Sequence, residues 1–260
     1  MQQDFAGRTA IVTGGGTGLG LAISTQLGQR GAHVVCASRD VANHAELRAR
    51  GERDGFAVTS VALDVREPAQ VKEVVRSLAR VDVLINNAAG NFIRPSLMLA
   101  PKAFRTVIDV ALNGVFYMSR ECARRMRDDG GAIVNISAPY AFTGKPGVVH
   151  SACAKAGVES MTKTLAAEWA EHRIRVNAIS PGPFQSEGAA DRLWPSEEME
   201  AELMKQLPLG RKGTTEEIAR MVCYAASDDA AFLTGSILVC DGGWSLPEPF
   251  GELKKVNRKR

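Results

Sequence analysis

The sequence lacks the long apolar runs, internal repeats and low-complexity segments that mark several classes of protein. No apolar stretch approaches the roughly 18 residues of a membrane span, so no membrane partner is expected. Of the 260 residues, 45% are hydrophobic and 23% are charged, close to the averages for globular proteins, which indicates neither disorder nor a fibrous class. The length fits one α/β domain, predicted over residues 1–250.

Histidine and cysteine are scattered along the chain. The four histidines are dispersed, so no metal site is predicted. The cysteines show no paired spacing and most have apolar neighbours, which is typical of small core residues in a reducing compartment. The first residues form no charged-then-apolar leader and the last form no peroxisomal signal, so a cytoplasmic protein is expected. The five cysteines are Cys36, Cys122, Cys153, Cys223 and Cys240.

The body of the chain also lacks an excess of one charge. The net charge is +3, but the last seven residues hold five basic groups. Without them, 27 of the 32 basic groups remain against 29 acidic ones. We therefore expect a basic tail at residues 251–260 and no nucleic-acid partner.

A glycine-rich turn follows the first apolar segment. Residues 8–13 have the pattern of a buried strand and residues 21–27 have that of a helix. The N-terminus of this helix, with its backbone N–H groups and the positive end of its dipole, therefore faces a ligand bound in the turn. Glycine has no side chain that would keep a phosphate away from the backbone. This arrangement predicts that a dinucleotide is bound by Gly14, Gly15, Gly16, Thr17, Gly18, Leu19 and Gly20.

The second strand, predicted over residues 33–37, indicates which dinucleotide is bound. It ends at Ser38 and Arg39, and no acidic residue follows until Asp40. A carboxylate at this point favours a free ribose 2′-hydroxyl, whereas an arginine favours a 2′-phosphate, so the sequence predicts NADP(H). A solvated arginine at a strand end is the alternative.

Polar residues also follow the next two predicted strands, 58–63 and 81–85. Asp64 is placed either to accept from the adenine amine or to cap the following helix. Asn86 and Asn87 precede a run of small residues that lets the backbone approach a ribose; alternatively, they tie adjacent strand ends together. Two further residues of these segments are expected at the cofactor, Val65 and Ala88.

Seven apolar segments alternate with helical patterns along the chain. This alternation predicts an α/β fold of the Rossmann type, with one doubly wound seven-stranded parallel sheet and helices on both faces. Ligands bind such sheets across the carboxyl ends of the strands. The polar residues 184–206 are predicted to form a flap over the substrate. A helix predicted over residues 102–127 contains Asn113 and Gly114, a poor pair for a helix interior, so a functional kink is expected there.

The segment from Asn135 to Lys155 carries groups suited to acid chemistry. Ser151 and Lys155 are four residues apart, so on a helix they share one face. Tyr140 supplies an ionisable phenol in the preceding loop. A phenol, a serine hydroxyl and an ammonium brought together beside a cofactor make an acid and oxyanion-stabilising site. Alternatively, Tyr140 is a loop aromatic and Lys155 a solvated helix charge.

Several motifs occur together: T-G-G-G-T-G-L-G (13–20), Asp64-Val65, N-N-A-A-G (86–90), Asn113, Lys155 and P-G-P (181–183). With them the chain resembles the short-chain dehydrogenase/reductase family over essentially its whole length. The usual members reduce a carbonyl with a tyrosine four residues before the lysine and a serine about thirteen residues before that tyrosine. These positions here hold Ser151 and Ala138. A serine hydroxyl is far too weak an acid to replace the phenol.

Further strings match a particular group of the family: A-A-G-N-F (88–92), Tyr140-Ala141, T-G (143–144), S-A-C-A-K-A-G-V-E (151–159), L-A-A-E-W (165–169) and P-G-P-F (181–184). They resemble the 2,4-dienoyl-CoA reductases. The resemblance implies an enzyme in which NADPH reduces a conjugated C=C bond of an acyl thioester, giving a 3-enoyl-CoA. It also implies that Tyr140 and Asn91 bind the thioester oxygen of a dienolate.

The same resemblance implies roles for other residues. Lys155 would hold the nicotinamide ribose and favour the ionised form of the phenol. Ser151 would help to orient the reacting groups, and Asn113 would bind a relay water at the helix kink. A homotetramer built on the two long helices is implied as well. The expected contacts are the coenzyme A phosphates for Arg39, Arg66 and Arg192, the acyl path for Phe92, and the cofactor for Pro181, Gly182, Pro183 and Phe184.

Three other functions remain open from the sequence. An enoyl-thioester reductase of a specialised pathway would use the same hydride chemistry on a different acyl group. An alcohol dehydrogenase would use Tyr140 as its acid, although a phenol so far upstream of Lys155 need not face the nicotinamide. A catalytically silent NADP-binding scaffold would bind the cofactor without turnover.

Overall fold

A computed structural model describes residues 3–185 and 196–247. The predicted seven-stranded parallel sheet is confirmed. Its strands are β1 (Thr9–Thr13), β2 (His33–Ser38), β3 (Val58–Ala62), β4 (Val83–Asn86), β5 (Gly131–Ile136), β6 (Ile174–Pro181) and β7 (Ile237–Cys240). Their order across the sheet is β3-β2-β1-β4-β5-β6-β7, so the winding direction reverses between β1 and β4. Ligand crevices form at such a reversal.

Helices cover both faces of the sheet, as expected for parallel strands that are buried on both sides. They are α1 (Gly18–Gln29), α2 (Ala45–Asp54), α3 (Pro68–Ser77), α4 (Pro101–Ile108), α5 (Gly114–Met126), α6 (Tyr140–Thr143), α7 (Val149–Trp169), α8 (Glu197–Lys205) and α9 (Thr215–Ala226). None of the helices in the described part of the chain combines the length and the apolar character needed to cross a membrane.

The core lies on both sides of the sheet because successive residues of a strand point to opposite faces. Ala10 and Val12 of β1 pack with Ile23 of α1 on one side. Ile11 packs with Met118 of α5 on the other side. The strands are thus held from both faces, and the loops at their carboxyl ends start from fixed positions.

The helix predicted over residues 102–127 is divided into three parts. A π-helical turn, Asp109–Asn113, separates α4 from α5. The Asn113 amide donates to the Asp109 carboxylate at 2.9 Å. Position 114 requires glycine, because a Cβ there would lie 2.7 Å from Cγ2 of Val65. The expected irregularity is therefore present, and close packing of the helix against the segment after β3 explains the glycine.

Some predicted segments differ from the structure or fall outside it. Between β2 and α2 the chain forms a 3₁₀ turn, Val41–His44, because the Asp40 side chain accepts from the Ala42 N–H and caps that turn. Of the predicted flap, α8 is described, whereas residues 186–195 lie outside the described residues. Arg192 and the basic tail at 251–260 lie outside them as well.

Candidate active site

A cleft of about 900 Å³ lies across the carboxyl ends of the strands. Its position is the one predicted for the ligand, and the loops after β1, β2, β3, β4, β5 and β6 all contribute to it. Among the residues predicted to bind the cofactor, those that line the cleft are Gly14, Thr17, Gly18, Leu19, Gly20, Ser38, Arg39, Asp64, Val65, Asn87, Ala88, Lys155, Pro181, Gly182, Pro183 and Phe184.

The glycine-rich turn is shaped to hold a pyrophosphate. Gly14 has a φ of +64°, which favours glycine. A Cβ on Gly20 would lie 2.0 Å from the Gly14 carbonyl oxygen, so only glycine lets the turn fold onto the start of α1. Thr17 makes no side-chain capping bond at that helix start. The first N–H groups of α1 are therefore left to bind an anion, which fits a dinucleotide phosphate.

Gly15 and Gly16 do not line the cleft. A Cβ on Gly15 would lie 2.7 Å from the Ser24 hydroxyl oxygen, and one on Gly16 would lie 2.4 Å from the Asn43 carbonyl oxygen. Their contact with the cofactor through the backbone stays a prediction. They allow the turn to pack against α1 and against the 3₁₀ turn that follows β2.

The residues at the end of β2 form one wall of the cleft. The Ser38 hydroxyl donates to the Asp40 carbonyl at 3.0 Å and lies 2.7 Å from Nε2 of His44. The Asp40 carboxylate is engaged in capping the 3₁₀ turn. Arg39 lines the cleft and is exposed, so its guanidinium can reach a phosphate there.

Asp64 and Arg66 bind each other at the end of β3. The shortest contact of the pair joins Nη2 of Arg66 to Oδ2 of Asp64 at 2.5 Å. The hydrogen bond from Arg66 holds the pKa of Asp64 below its usual range, against the opposing effect of burial. Capping of α3 by Asp64 is not observed, because its side chain accepts the Arg66 N–H while Glu67 occupies the N-cap.

The two asparagines at the end of β4, Asn86 and Asn87, tie strand ends together, as one of the two predictions for them states. The Asn86 amide donates to Oδ1 of Asn135 at 2.8 Å, which links β4 to β5. The Asn87 amide donates to the carbonyl oxygens of Thr13 and Gly14 at 3.0 and 3.2 Å, which links β4 to the glycine-rich turn. The small residues after Asn87 leave that side of the cleft open.

Three polar residues converge where the loop after β5 meets α7. Tyr140 is the first residue of α6, and its hydroxyl lies 3.0 Å from the Ser151 hydroxyl. The Asn91 amide donates to the same phenol oxygen at 3.3 Å. Oδ1 of Asn91 accepts from the Phe92 N–H at 2.9 Å. Tyr140 is therefore a partly buried group with two polar partners and not a solvated loop aromatic.

Burial raises the pKa of the Tyr140 phenol, and the hydrogen bonds from Ser151 and Asn91 oppose this effect. The phenol therefore stays protonated at neutral pH. Lys155 does not contribute to this shift, and the expectation that it favours the ionised phenol is wrong. A protonated phenol is a hydrogen-bond donor, which suits binding of a developing oxyanion.

Lys155 is buried and lies one helical turn after Ser151. Its ammonium donates to the Ile136 carbonyl at 2.5 Å, so it is fixed at the end of β5 and not solvated. Burial lowers the pKa of Lys155 to about 8. The ammonium borders the cleft and can serve a cofactor hydroxyl with its remaining N–H donors.

Two further predicted residues do not line the cleft. The Phe92 ring stacks on His150 and packs against the cluster that contains Val107, and its place on the acyl path stays a prediction. Asn113 lies in the π-helical turn behind the site and bonds Asp109. Its role in binding a relay water stays a prediction.

At the mouth of the cleft, Lys145 and Trp244 were not predicted as site residues. Lys145 follows α6, and its ammonium lies 4.8 Å from the centre of the Trp244 ring in a cation–π contact. Leu203 of α8 also lines this region. No spacing or motif connects these residues, since three separate segments meet here only in the folded chain. His150, described above, was missed for the same reason.

Comparison with known proteins identifies the family. A family model described as "Enoyl-(Acyl carrier protein) reductase" matches residues 14–245. The "Probable 2,4-dienoyl-CoA reductase [(2E)-enoyl-CoA-producing]" of Bacillus subtilis is 41% identical, over 94% of this chain and 99% of that protein. The peroxisomal 2,4-dienoyl-CoA reductase [(3E)-enoyl-CoA-producing] of Danio rerio is 38% identical, over 91% of this chain and 81% of that protein.

Solved structures show the same fold. A short-chain dehydrogenase of Bacillus anthracis superposes with a TM-score of 0.82 at 36% identity, covering 94% of this chain and 98% of that one. A gluconate 5-dehydrogenase of Burkholderia cenocepacia, solved in complex with NADP and tartrate, superposes with a TM-score of 0.89 at 30% identity, covering 95% and 99%. The chain belongs to the short-chain dehydrogenase/reductase family, in its 2,4-dienoyl-CoA reductase group, and is an oxidoreductase.

Proposed function

We propose that the protein is an NADPH-dependent 2,4-dienoyl-CoA reductase. The observation that carries the proposal is the contact of Tyr140 with both Asn91 and Ser151 at the wall of the cleft. The helix position that holds the ketone-reducing phenol in the usual members holds Ser151 here. A partly buried phenol supplied from α6 instead is suited to hold an oxygen that gains charge at a distance from the reduced carbon.

The residues around the cleft fit NADP(H). The glycine-rich turn and the N-terminus of α1, which has no side-chain cap, suit the pyrophosphate. Arg39 suits a ribose 2′-phosphate. The Asp40 carboxylate, which would repel that phosphate, is held in its own turn. When bound, NADPH supplies a hydride to the far end of the conjugated diene, carbon C5. Relatives of the same fold with bound NADP support this preference.

Tyr140 and Asn91 would stabilise the negative charge that then develops on the thioester oxygen. The phenol donates its proton to that oxygen while its own oxygen accepts from Ser151 and Asn91. Asn91 has a second N–H that is free to reach the same thioester oxygen. Each donor of this kind contributes about 3 kcal/mol to stabilisation of a transition state.

Protonation of the dienolate sets the product. A proton delivered to C2 leaves the remaining double bond between C3 and C4, whereas a proton delivered to C4 leaves it between C2 and C3. The names of the relatives include both outcomes. We propose delivery to C2, by Tyr140 or by a water beside it, because the phenol that holds the thioester oxygen is then next to the carbon that is protonated.

Lys155 would position the nicotinamide ribose. Its ammonium is buried at the cleft wall, and the Ile136 carbonyl fixes its direction. Arg66 would meet a coenzyme A phosphate, although Asp64 already occupies part of its guanidinium. A coenzyme A thioester as substrate, a homotetramer and a cytoplasmic location belong to the same proposal, and some relatives are named as peroxisomal enzymes.

The test is a panel of 2,4-dienoyl, 2-enoyl and 3-ketoacyl thioesters, with NADPH oxidation followed for each. The dienoyl substrate should be used best. Tyr140→Phe and Asn91→Ala should each lower kcat about 100-fold with the NADPH Kd unchanged. The matched control is Tyr224→Phe, because Tyr224 is half-exposed on α9 and does not line the cleft.

Other outcomes of the same panel distinguish the alternatives. Equal or better use of the 2-enoyl substrate would show an enoyl-thioester reductase. Reduction of the 3-keto substrate alone would show an alcohol dehydrogenase. NADPH binding without turnover of any substrate, unaffected by Tyr140→Phe, would show a silent scaffold.

A further inference from the structure

His150 is a fully buried histidine in the first turn of α7. Its ring stacks on that of Phe92, with centroids 4.3 Å apart and planes inclined by 23°. Neither ring nitrogen makes a hydrogen bond of normal geometry among the described residues, although the Phe92 backbone lies near enough to the ring to raise its pKa. Burial of unpaired polar atoms is destabilising, so His150 occupies a site that costs stability where a phenylalanine would not.

Phe92 connects this stack to the active site. Its ring packs into a small cluster with Val107, Ala111 and Ala154, and its backbone N–H donates to Oδ1 of Asn91 at 2.9 Å. An amide oxygen accepts and an amide nitrogen donates. With Oδ1 engaged by Phe92, the NH₂ group of Asn91 is the part that faces the phenol.

The loop that carries Asn91 has little else to hold it. Ala89 and Gly90 are exposed, and a Cβ on Gly90 would meet no atom within 4 Å. The next backbone hydrogen bond to another segment runs from the Arg94 N–H to the Gly147 carbonyl at 2.8 Å. The position of the Asn91 amide therefore depends on where Phe92 is packed.

We propose that His150 is a positioning residue of the active site, and that its stack with Phe92 holds Asn91 and Ser151 at donating distance from Tyr140. The contacts form a closed ring. It runs from the His150 ring to the Phe92 ring, from the Phe92 N–H through Asn91 to the phenol, and from the phenol to Ser151, which is joined to His150 by a peptide bond.

The imidazole acts by packing and not by proton transfer. Burial lowers the pKa of His150, against an opposing effect of the Phe92 backbone, so the ring is neutral at neutral pH. A phenyl ring has a similar shape and stacks in the same way. The proposal thus makes His150→Phe the rescuing variant and His150→Ala the disabling one.

The effect on Tyr140 is measured without substrate. Tyrosine labelled with ¹³C at Cζ reports hydrogen bonding at its hydroxyl by NMR, and Tyr140→Phe assigns the Tyr140 signal among the three tyrosines of the chain. We expect His150→Ala and Phe92→Leu to shift this signal in the direction that Asn91→Ala shifts it. We expect His150→Phe to leave it where the wild-type protein has it.

The kinetic readout rests on the proposed function, whereas the NMR readout does not. With the dienoyl thioester, His150→Ala and Phe92→Leu should lower kcat about tenfold, with the NADPH Kd within twofold of wild type. His150→Phe should retain kcat within twofold. If no thioester is turned over, the proposed function fails, and the NMR comparison still decides the role of His150.

Two results would overturn the proposal. One is a folded His150→Ala protein whose Tyr140 signal and kcat match those of the wild type. The other is a folded His150→Phe protein that loses as much as His150→Ala, since the ring nitrogens would then act directly. If thermal unfolding shows that His150→Ala is unfolded at the assay temperature, Phe92→Leu replaces it. Its Tyr140 signal and kcat are then compared with those of the wild type, since it removes the other ring of the stack.

Discussion

The Ser151 hydroxyl lies 3.0 Å from the phenol oxygen of Tyr140, although Ser151 stands where carbonyl reductases of this family carry their own phenol. The phenol of this protein therefore reaches the same region from α6, outside helix α7. Asn91 adds a second hydrogen bond to it from the loop after β4. The phenol that we propose as the oxyanion donor thus lies on a different segment from Lys155, which is fixed at the end of β5.

The first prediction concerns Ser151→Ala. The substitution removes one of two partners of the Tyr140 phenol, whose pKa should rise further because burial is then less opposed. A weaker acid and a less fixed donor should lower kcat about tenfold, equivalent to about 1.4 kcal/mol. Ser160→Ala, on the exposed side of the same helix, is the control and should have the wild-type kcat. A wild-type kcat for Ser151→Ala would contradict the orienting role.

The second prediction concerns the pH dependence of NADPH binding. Burial lowers the pKa of Lys155 to about 8, so its ammonium loses a proton as the pH rises through this value. Below it the group carries three donors and a charge, and above it the group is a neutral amine. The NADPH Kd, measured by fluorescence between pH 6.5 and 9.5, should therefore increase above a pH of about 8.

Lys155→Met tests whether Lys155 causes this change. Its NADPH Kd should be higher than that of the wild type at low pH and should vary less across the same range. A wild-type pH dependence in the methionine variant would assign the effect to another group.

The third prediction concerns cofactor preference. Arg39 is exposed at the cleft wall, so Arg39→Gln should remove a charge-assisted contact with the 2′-phosphate. The NADPH Kd should rise about tenfold or more while the NADH Kd changes less than twofold. Arg53→Gln is the control, since Arg53 pairs with Asp54 away from the cleft. An equal rise in the Kd values of NADPH and NADH would show that Arg39 does not contact the 2′-phosphate.

The sequence predicts what depends on local pattern. Alternating apolar segments predict the sheet that is observed, and the glycine-rich turn after β1 lies at the cleft where a phosphate site is predicted. Four-residue spacing placed Ser151 and Lys155 on one helix face, but their contacts differ, since Ser151 bonds Tyr140 and Lys155 bonds Ile136. Spacing fixes the direction of a side chain and not its partner.

The contacts that the sequence did not predict join distant segments. The family resemblance implied a place for Phe92 on the acyl path, but nothing in the sequence predicted that its ring packs on His150. The mouth of the cleft likewise combines Lys145 with Trp244, which are far apart in the chain. Such pairs are selected by the packing of whole elements, and periodicity within one element carries no information about them.

The fourth prediction concerns the π-helical turn. Gly114→Ala places a Cβ 2.7 Å from Cγ2 of Val65, a buried and stiff side chain that cannot easily give way. Overpacking of this kind costs about 1–3 kcal/mol, and the better helix propensity of alanine offsets part of it. Urea unfolding should show a lower midpoint for Gly114→Ala. Gly213→Ala, whose Cβ would meet nothing closer than 3.7 Å, should unfold like the wild type.

The last prediction concerns the position of protonation. In D₂O the hydride from NADPH carries no deuterium, so the single deuterium in the product marks the carbon that receives the solvent proton. With Tyr140 holding the thioester oxygen, the donor lies next to C2, and NMR of the product should show deuterium at C2 with the double bond between C3 and C4. Slower turnover in Tyr140→Phe with the same labelled carbon would identify water as the direct donor. Deuterium at C4, with a 2-enoyl product, would contradict the proposed placement of the thioester beside Tyr140.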